Sequence, residues 1–374
     1  MKGKIPETLQ HTPHFHEEDY RFMQLALYLA QRGLGSTAPN PSVGCVIVNN
    51  GIIVGRGTTA PGGRPHAETV ALAQAGSKAR GATVYVTLEP CCHVGKTRPC
   101  TEPLIEAGVT RVVVAIKDKN PAVSGGGIAS LQQAGITVDV GLLSEEASAM
   151  NAGFFSVHQR ARPWVTVKLA TSLDGKIALA NGESRWITGP EARRYAHLLR
   201  AQHDAIMVGA GTVKADDPEL TCRLPGMEAK NPVRVIMDSR TQLPANCKLF
   251  TTANQTPTWV VTRKQQGDFP DSVKALTAQQ ENAGYINAAT ALSLLAAQGI
   301  TRLLVEGGSK LVTSLWQADM IDQLIWIRAP KVLGNDSRPA IDALQLSALQ
   351  NTTLWHRKEL LTLGPDCCEI FTKA

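Results

Sequence analysis

The stretch His66-Ala67-Glu68, followed along the chain by Pro90-Cys91 and then by Cys100, decides the fold of the first half. One histidine and two cysteines can supply three ligands to a tetrahedral zinc ion and leave the fourth position to water, as in catalytic zinc sites. A closed structural site needs a fourth protein ligand, for which Cys92 and His93 are the candidates. The order of the residues favours the catalytic alternative, with His66, Cys91 and Cys100 as the metal ligands.

Glu68 is the candidate catalytic residue of this site. H-x-E followed by P-C and a further cysteine is the known signature of zinc-dependent nucleobase deaminases. Zinc lowers the pKa of a bound water to near neutrality, and a positioned carboxylate can move the proton of that water. Eight residues separate Cys91 from Cys100, where the signature has two. The wider gap points away from cytidine and tRNA-adenosine deaminases and towards a branch that acts on small molecules.

Length, charge and hydropathy limit the classes of protein. A chain of 374 residues accommodates two domains. The formal net charge of +6 is dispersed, which suits phosphorylated small molecules and does not indicate a nucleic-acid partner. No stretch approaches the roughly 20 apolar residues that span a membrane, and residues 1–19 lack a secretion signal. We therefore expect a cytoplasmic enzyme with no membrane partner. We also expect a homo-oligomer (dimer or tetramer), which length, charge and hydropathy do not decide.

Strands and helices alternate in both halves of the chain, which indicates the α/β class. After a flexible tail at 1–18, the first domain (19–145) is predicted to have strands at 43–48, 52–55, 83–88, 111–116 and 137–140, and helices at 66–78, 102–107 and 128–133. A linker at 146–162 leads to the second domain (163–374). Its predicted strands lie at 164–169, 205–208, 233–237, 258–261, 303–305 and 323–328, its helices at 190–202, 288–298 and 309–318, and its loop-rich stretches at 210–231 and 265–284.

Two glycine-containing patterns bear on nucleotide binding. Residues 55–60 match the expression for a dinucleotide-binding turn, but they leave a hairpin strand for a loop, and we treat this match as chance. The sequence Val305-Glu306-Gly307-Gly308-Ser309 ends a strand and opens a helix, so its free amides can bind a phosphate, or it can be a plain tight turn. Asp216 likewise can serve a ligand or simply form a turn with Asp217-Pro218.

Several motifs in order resemble the bifunctional deaminase/reductases of riboflavin biosynthesis, over nearly the whole chain from about Asp19. In the first half these are Asn40-Pro41-Ser42-Val43-Gly44, the His66 motif, and 87–100 (TLEPCCHVGKTRPC). In the second half they are 168–176 (KLATSLDGK), 182–188 (GESRWIT), 216–223 (DDPELTCR) and 305–308 (VEGG). Cys92 and Arg98 depart from the usual residues of that family.

The resemblance implies a fold and a pair of reactions. The N-terminal domain would be a cytidine-deaminase-like three-layer α/β/α domain, followed by a dihydrofolate-reductase-like α/β domain. A zinc-dependent deamination of a phosphoribosylamino-pyrimidinone would precede an NADPH-dependent reduction of its ribosyl group to ribityl. A rival hypothesis is a zinc-dependent nucleobase deaminase whose C-terminal half is a non-catalytic nucleotide-binding regulatory module.

The resemblance also assigns site residues. In the deaminase the substrate would meet Asn40 and the loop from His93 to Thr97. In the reductase, NADPH would meet Ala170, Trp186, Thr212, Asp216, Ser239, Gly308, Ser309, Lys310, Leu311, Val312, Thr313 and Ser314. The substrate of the reductase would meet Ser184, Arg200, Leu220, Arg223 and Glu306.

The residues that follow two predicted strands indicate a preference for NADPH over NADH. An NAD-specific site of the Rossmann type places an acidic side chain on the ribose hydroxyls. Here Asp238-Ser239-Arg240 follows one strand and Thr262-Arg263-Lys264 the next, which brings hydroxyls and cations to where a ribose phosphate can bind. The alternative is that Arg240 and Arg263 are solvated loop residues. Arg200 and Arg223 together offer planar guanidinium groups for a sugar phosphate.

Overall fold

Each half of the chain is built around its own β-sheet in the computed structural model, which describes residues 15–93, 95, 97–120, 123–239, 243–264, 268–278 and 286–373. Two units result. The first comprises the chain up to Gly33 together with Ser42–Asn151, and the second comprises Leu34–Pro41 together with Ala152–Ala374. Among the described residues, no helix has the length and apolar character that crossing a membrane requires.

The first unit is a five-stranded sheet with helices on both faces. Its elements are α1 (Glu17–Gly33), β1 (Gly44–Asn49), β2 (Ile52–Thr58), α2 (Ala67–Ala75), β3 (Thr83–Val86), α3 (Thr101–Glu106), β4 (Arg111–Val114), α4 (Gly126–Gln133), β5 (Thr137–Val140) and α5 (Ser144–Met150). The strand order is β2-β1-β3-β4-β5; β1 pairs antiparallel with β2 and β3, and β3, β4 and β5 run parallel. A tight turn at residues 50–51 joins β1 to β2 as a hairpin.

Successive side chains of each strand point to opposite faces of the sheet, so the core of this unit has two layers, one on each face. Val46 and Val48 of β1 pack with Phe22, Met23 and other apolar residues of α1, and α5 joins this layer. Helices α2, α3 and α4 form the other layer. The three-layer arrangement exposes the ends of the parallel strands, from which the functional loops emerge.

Two glycines of β2 set the position of α2. A Cβ atom at Gly55 would lie 2.2 Å from the carbonyl oxygen of Ala71, and one at Gly57 would lie 2.1 Å from that of Ala67. Because only glycine permits so close an approach, α2 lies directly on the strand. The glycine pattern at 55–60 therefore serves helix packing, and it fixes the start of α2, where His66 stands.

A buried ion-pair network joins α1 to the sheet. The Arg111 guanidinium donates to the Asp19 carboxylate at 2.7 Å and to the Asp139 carboxylate at 2.8 Å, and the Tyr85 hydroxyl donates to Asp19 at 2.7 Å. Burial on its own raises the pKa of Asp19, but the hydrogen bonds from Arg111, the backbone at His16 and Tyr85 outweigh it and lower that pKa. The network holds the first helix on the sheet although no helix was predicted there.

The second unit contains a nine-stranded mixed sheet. Its elements are α6 (Ala152–Arg160), β6 (Trp164–Thr171), β7 (Lys176–Ala178), α7 (Pro190–Ala201), β8 (Ala205–Gly209), α8 (Ala210–Asp216), β9 (Val233–Met237), α9 (Lys248–Thr251), β10 (Thr258–Thr262), β11 (Val273–Thr277), α10 (Ala288–Ala297), β12 (Arg302–Val305), α11 (Ser309–Gln317), β13 (Gln323–Arg328), β14 (Arg338–Pro339), β15 (Trp355–Leu363) and β16 (Asp366–Lys373). The large sheet has the order β11-β10-β9-β8-β12-β6-β13-β16-β15.

The strands from β11 to β13 all run parallel, and only the last two, β16 and β15, are antiparallel to their neighbours. Buried aliphatic residues such as Val165, Val167 and Leu303 form one side of the core with α10 and α11. The carboxyl ends of β6, β8 and β12 therefore lie side by side, which is where parallel sheets bind ligands.

The structure contains elements that were not predicted, among them β7, α9, β14 and β15, and it departs from the sequence prediction at four further places. Residues 146–162, predicted as a linker, lie largely in helices α5 and α6, because their alanine-rich composition favours helix. The stretches at 210–231 and 265–284, predicted to be loops, contain α8 and β11. Helix α1 was not predicted, and it begins at Glu17, inside the predicted tail.

A buried carboxylate holds the loop after β3 in place. Glu89, only 3% exposed, accepts hydrogen bonds from four backbone amides: Asp118 at 3.1 Å, Gly125 at 3.0 Å, Gly127 at 2.9 Å and Ile128 at 3.1 Å. The last two amides lie in the first turn of α4, where a carboxylate also interacts favourably with the helix dipole. Glu89 thereby ties the segment that carries Cys91 to the start of α4.

We predict that Glu89→Gln lowers the free energy of unfolding by about 2–5 kcal/mol. The amide group would turn its own N–H donors towards two of the four backbone amides, and a buried donor without an acceptor costs about 1–3 kcal/mol. The measurement is the shift of the urea-unfolding transition of the full chain. Glu102→Gln, which changes an exposed glutamate on α3, is the matched control, and an unfolding curve equal to that control would contradict the prediction.

Candidate functional site

The three predicted metal ligands meet in the first unit. The ligand atoms of His66, Cys91 and Cys100 all lie within 4.8 Å of one another. His66 Nδ1 is 3.3 Å from Cys100 Sγ and 3.6 Å from Cys91 Sγ. Zinc–ligand bonds of about 2.0–2.3 Å place tetrahedral ligands roughly 3.5–3.8 Å apart, so the spacing and the donor types fit zinc.

Each ligand is positioned at the end of an element. His66 is the N-cap residue of α2, Cys91 follows β3 within the loop held by Glu89, and Cys100 is the N-cap residue of α3. The backbone amide of Cys100 donates to Cys91 Sγ at 3.3 Å. Hydrogen bonds from Cys100 hold the pKa of the Cys91 thiol well below its ordinary value, which favours the thiolate that a metal needs.

Glu68 lies in the first turn of α2 beside this cluster. Its side chain is 4% exposed. Burial raises the pKa of the Glu68 carboxyl above its ordinary value, and the charges of Cys91 and His66 act on it from the metal site. A buried carboxyl with a raised pKa next to a metal position can accept and return a proton near neutral pH.

The predicted pocket loop also lies near His66. The Arg64 guanidinium donates to Thr97 Oγ1 at 2.7 Å and lies 3.4 Å from His66 Nε2, and a Cβ atom at Gly95 would lie 3.9 Å from both Arg64 and His93. Val94 and Lys96 lie outside the described residues. The structure thus brings His93 and Thr97 close to the metal ligands.

Two other predicted positions stand apart from the cluster. Cys92 turns its sulfur towards α4, since a Cβ atom at Gly126 would lie 2.8 Å from it, and it does not belong to the group of potential ligands. Asn40 lies in the segment 34–41, which groups with the second unit. Its contact with a pyrimidine therefore stays a prediction.

The second unit contains a cleft at the carboxyl ends of β6, β8 and β12, formed by two cavities of about 450 and 540 Å³. The cavities share Ser184, Thr212, Asp216 and Glu306. Most of the residues predicted for the reductase line one cavity or the other: Ala170, Ser184, Trp186, Arg200, Thr212, Asp216, Leu220, Arg223, Glu306, Gly308, Ser309, Lys310, Leu311 and Val312. Volumes of this size are typical of small-molecule binding sites.

Three predicted positions do not line these cavities. Thr313 is buried, and its hydroxyl accepts from the amide of Asp342 at 2.8 Å. Ser314 lies in the same helix, α11, and is likewise outside the cavity linings. Ser239 follows β9, and its hydroxyl accepts from the amide of Ile286 at 3.1 Å.

A glycine pair opens one wall of the cleft. Gly307 and Gly308 have φ values of +116° and +76°, which L side chains rarely adopt, and a Cβ atom at Gly308 would lie 3.1 Å from the Thr212 hydroxyl. Helix α11 begins at Ser309, directly after this turn, so its first amides are not bonded within the helix. Amides of this kind can bind phosphate groups, and nucleotide binding at 305–309 stays a prediction.

A buried carboxylate forms the floor of the cleft. Glu306 accepts a bidentate pair from Arg200, with distances of 2.7 and 2.9 Å, and Lys168 Nζ lies 3.5 Å away. Burial on its own raises the pKa of Glu306, but Arg200 and Lys168 hold it well below its ordinary range. The guanidinium of Arg200 is therefore paired with Glu306 and is not free to bind a sugar phosphate. Arg223 contacts Glu219 at 3.2 Å, and both side chains are exposed.

Lys168 and Glu89 are functional candidates to which the sequence alone assigned no role. Lys168 interrupts the apolar strand β6, and a lysine inside a buried strand is itself a signal of a paired or functional charge. Glu89 has no such signal, because nothing in the sequence says that four distant amides converge on it. Both lie next to residues that were predicted.

Comparison with known families covers both units. Residues 16–116 match the model for the cytidine and deoxycytidylate deaminase zinc-binding region, and residues 163–368 match the model for the RibD C-terminal domain. The first unit thus has the cytidine-deaminase-like fold and the second the dihydrofolate-reductase-like fold, as predicted.

Individual relatives match over nearly their whole length. The chain is 42% identical to riboflavin biosynthesis protein RibD of Escherichia coli over 363 residues, covering 94% of this chain and 98% of the relative. It is 43% identical to the Haemophilus influenzae RibD over 365 residues, covering 94% and 96%. The structure of Acinetobacter baumannii RibD superposes with a TM-score of 0.87 at 38% identity, covering 96% and 99%.

A deaminase/reductase from Thermotoga maritima also superposes, with a TM-score of 0.86 at 35% identity over 96% of this chain and all of the relative. The predicted zinc and NADPH dependence agrees with the zinc-binding deaminase region and the reductase domain. The chain therefore belongs to the RibD family of bifunctional deaminase/reductases of riboflavin biosynthesis.

Proposed function

We propose that the first unit deaminates 2,5-diamino-6-(5-phosphoribosylamino)pyrimidin-4(3H)-one to 5-amino-6-(5-phosphoribosylamino)uracil, and that the second unit reduces the ribosyl group of that product to ribityl. The Thermotoga maritima relative is named for these two activities. The observation that carries the proposal is the convergence of His66, Cys91 and Cys100 around a buried Glu68 in a chain that also carries the reductase cleft. A deaminase with a non-catalytic second half would not need Lys168 and Glu306 in that cleft.

In the deamination, His66, Cys91 and Cys100 would hold the zinc, which makes water a nucleophile near neutral pH. Glu68 accepts the proton of the attacking water, delivers it to the ring nitrogen and then helps the amino group to leave as ammonia. Its burial keeps bulk water from competing for that proton, and the first turn of α2 keeps it beside the metal without coordinating it.

In the reduction, the amides that open α11 and the Thr212 hydroxyl would hold the phosphates of NADPH, which supplies a hydride. The net reaction adds that hydride to C1 of the ribosyl group and a proton to the ring oxygen, so that the C1–O bond breaks and the chain opens. Lys168 is the proton donor we assign, because its ammonium is held in the cleft by Glu306. Arg200 keeps Glu306 ionised and oriented.

We further propose that the enzyme is cytoplasmic and acts as a homo-oligomer, dimer or tetramer. Its substrates are small phosphorylated molecules, and the dispersed net charge of +6 suits them. The central test is incubation of the zinc-loaded protein with the phosphoribosylamino-pyrimidinone, with and without NADPH. A product changed by one deamination without NADPH, and by a further two hydrogens with it, is expected; no ammonia release would refute the proposal.

The first prediction from the proposed function concerns the metal. We expect Cys91→Ser, Cys100→Ser and His66→Ala each to lower the zinc content of the purified protein substantially, since each removes one of three ligands. Cys92→Ser, its matched control, should keep the wild-type content because its sulfur faces α4. Metal analysis of the four variants decides between these outcomes, and zinc loss in the Cys92 variant would show that the ligand set is different.

The second prediction concerns Glu68. Glu68→Gln should keep its zinc and fold but lower deamination by about 10²–10⁴-fold, which is the usual contribution of a positioned proton-transfer group. Reduction of substrate that is already deaminated should persist at the wild-type rate, because that reaction belongs to the second unit. Ammonia release and NADPH oxidation are measured separately. Normal ammonia release by the variant would remove Glu68 from the mechanism.

The third prediction concerns the choice of cofactor. Arg263 follows β10, and its Nε donates to the Ser239 carbonyl at 3.1 Å, so the two residues predicted for the ribose phosphate lie next to each other. Arg240, the other predicted cation, lies outside the described residues. A charge-assisted hydrogen bond contributes about 1.5–3 kcal/mol, so Arg263→Ala or Arg240→Ala should lower the preference for NADPH over NADH about 10- to 100-fold.

Steady-state kinetics with both cofactors measures this preference. Arg194→Ala is the matched control, because Arg194 is an exposed arginine of α7 that pairs with Glu191. Equal catalytic efficiency of the unmodified enzyme with NADH would refute the preference itself. Unchanged ratios in both arginine variants would place the phosphate contact elsewhere, for example on Ser239 alone.

A further inference from the structure

The segment 219–223 forms part of the wall of the reductase cleft and is named here the substrate loop. It contributes Glu219, Leu220 and Arg223 to the lining of the cavity of about 540 Å³. Leu220 has a φ of +56°, which residues other than glycine rarely adopt, and its side chain is buried. A backbone of this kind persists only where its surroundings hold it in place. The contacts that hold the substrate loop therefore determine the shape of the cavity.

Two side chains that follow the loop in the chain bond to its backbone. Arg234 Nη1 donates to the carbonyl of Glu219 at 3.3 Å, and the Asn231 side-chain oxygen accepts from the amide of Cys222 at 2.8 Å. These bonds fix the first residue of the loop and its fourth.

Helix α7 holds the end of the loop with two side chains about one turn apart. Arg200 Nη1 donates to the carbonyl of Thr221 at 3.0 Å. His197 Nδ1 accepts from the amide of Arg223 at 3.2 Å, and it also lies 3.1 Å from the Thr221 carbonyl oxygen. Because residues three apart share one face of a helix, both side chains reach the loop from the same side.

The protonation of Nδ1 decides which of its two neighbours the ring can bind. A neutral imidazole with its proton on Nε2 accepts from the Arg223 amide, whereas an N–H group at Nδ1 can only donate, and then to the Thr221 carbonyl. That carbonyl already has Arg200 as a donor. For the Arg223 amide, Nδ1 is the acceptor that the described part of the chain provides. The neutral ring therefore leaves both loop groups bonded, and the protonated ring does not.

The surroundings of the ring favour the neutral form. Burial lowers the pKa of His197, and the charges of Arg200 and Arg223 lower it further, against the opposing effects of a backbone hydrogen bond and of the Glu306 charge. Arg223 is itself paired with Glu219. A histidine whose pKa lies below its ordinary value is neutral at neutral pH and gains its proton only in acid. Acid then converts Nδ1 from an acceptor into a donor.

We propose that His197 is a positioning residue of the reductase, whose neutral ring holds the backbone of Arg223 so that Leu220 and Arg223 stay where they meet the substrate. This inference rests on the proposed function and deepens it. His197 is outside the lining of the cavity and acts through the loop. It therefore affects the binding of the substrate, and proton transfer remains with Lys168.

The first test removes the acceptor from the full-length enzyme. His197→Phe keeps a ring of similar size but has no Nδ1, so KM for 5-amino-6-(5-phosphoribosylamino)uracil should rise about 2- to 10-fold, the usual effect of one neutral hydrogen bond. The kcat of reduction and KM for NADPH should change less than about twofold. His356→Phe, which changes an exposed histidine of β15, is the matched control and should leave KM unchanged.

A conservative variant separates this contact from a general structural effect. In His197→Asn the side-chain oxygen lies the same number of bonds from the backbone as Nδ1, so it can accept from the Arg223 amide but cannot titrate. At neutral pH this variant should keep the KM of the unmodified enzyme. The phosphate of the substrate also titrates, with a pKa of about 6. The ratio of KM between the unmodified enzyme and His197→Asn cancels that effect.

This ratio should rise as the pH falls from about 8 to about 5, towards the ratio that His197→Phe shows at neutral pH. The inference is wrong if His197→Phe keeps its KM, if His197→Asn loses affinity as His197→Phe does, or if the ratio is the same at every pH. If the unmodified enzyme does not oxidise NADPH with the deaminated substrate, the proposed function fails instead.

Discussion

A buried carboxylate has to be surrounded by hydrogen-bond donors. Each of the two sites of this protein depends on a carboxylate that is surrounded in this way. Leaving an ionised carboxylate without partners in the interior is very costly, so the chain must deliver its donors before the fold is stable. Glu89 takes four backbone amides from the region after β4 and the start of α4, and Glu306 takes a guanidinium and an ammonium from α7 and β6. Each carboxylate thus fixes loops that would otherwise be independent.

The two carboxylates differ in whether their hydrogen-bond partners remain available to a ligand. Glu89 is satisfied by uncharged backbone, and its role ends with holding the Cys91 loop at the distance from His66 that a metal requires. Glu306 is satisfied by charged side chains that line a cleft, so Lys168 keeps donors that a ligand can use. The same physical requirement therefore yields a rigid support in one unit and a polarised binding surface in the other.

The sequence predicted the ligands better than the contacts between them. The residue types and their order, matched to a known signature, identified His66, Glu68, Cys91 and Cys100, because metal and proton chemistry restrict the residue types. Most strands and helices also followed from periodicity, whereas α1, α8, β11 and β15 were among those missed. The pairing of Arg200 with Glu306 was not predictable, since 106 residues separate them and a guanidinium that serves a carboxylate has the same sequence pattern as one that serves a phosphate. Only the fold distinguishes the two.

That distinction gives the pairing of charges a functional meaning. The guanidinium groups of Arg111 and Arg200 pair with carboxylates and hold elements together. Their positive charge is therefore balanced inside the protein. The guanidinium of Arg64 contacts a hydroxyl and an imidazole instead. A guanidinium stays charged at any physiological pH, so what each arginine does depends on the partner that the fold brings to it.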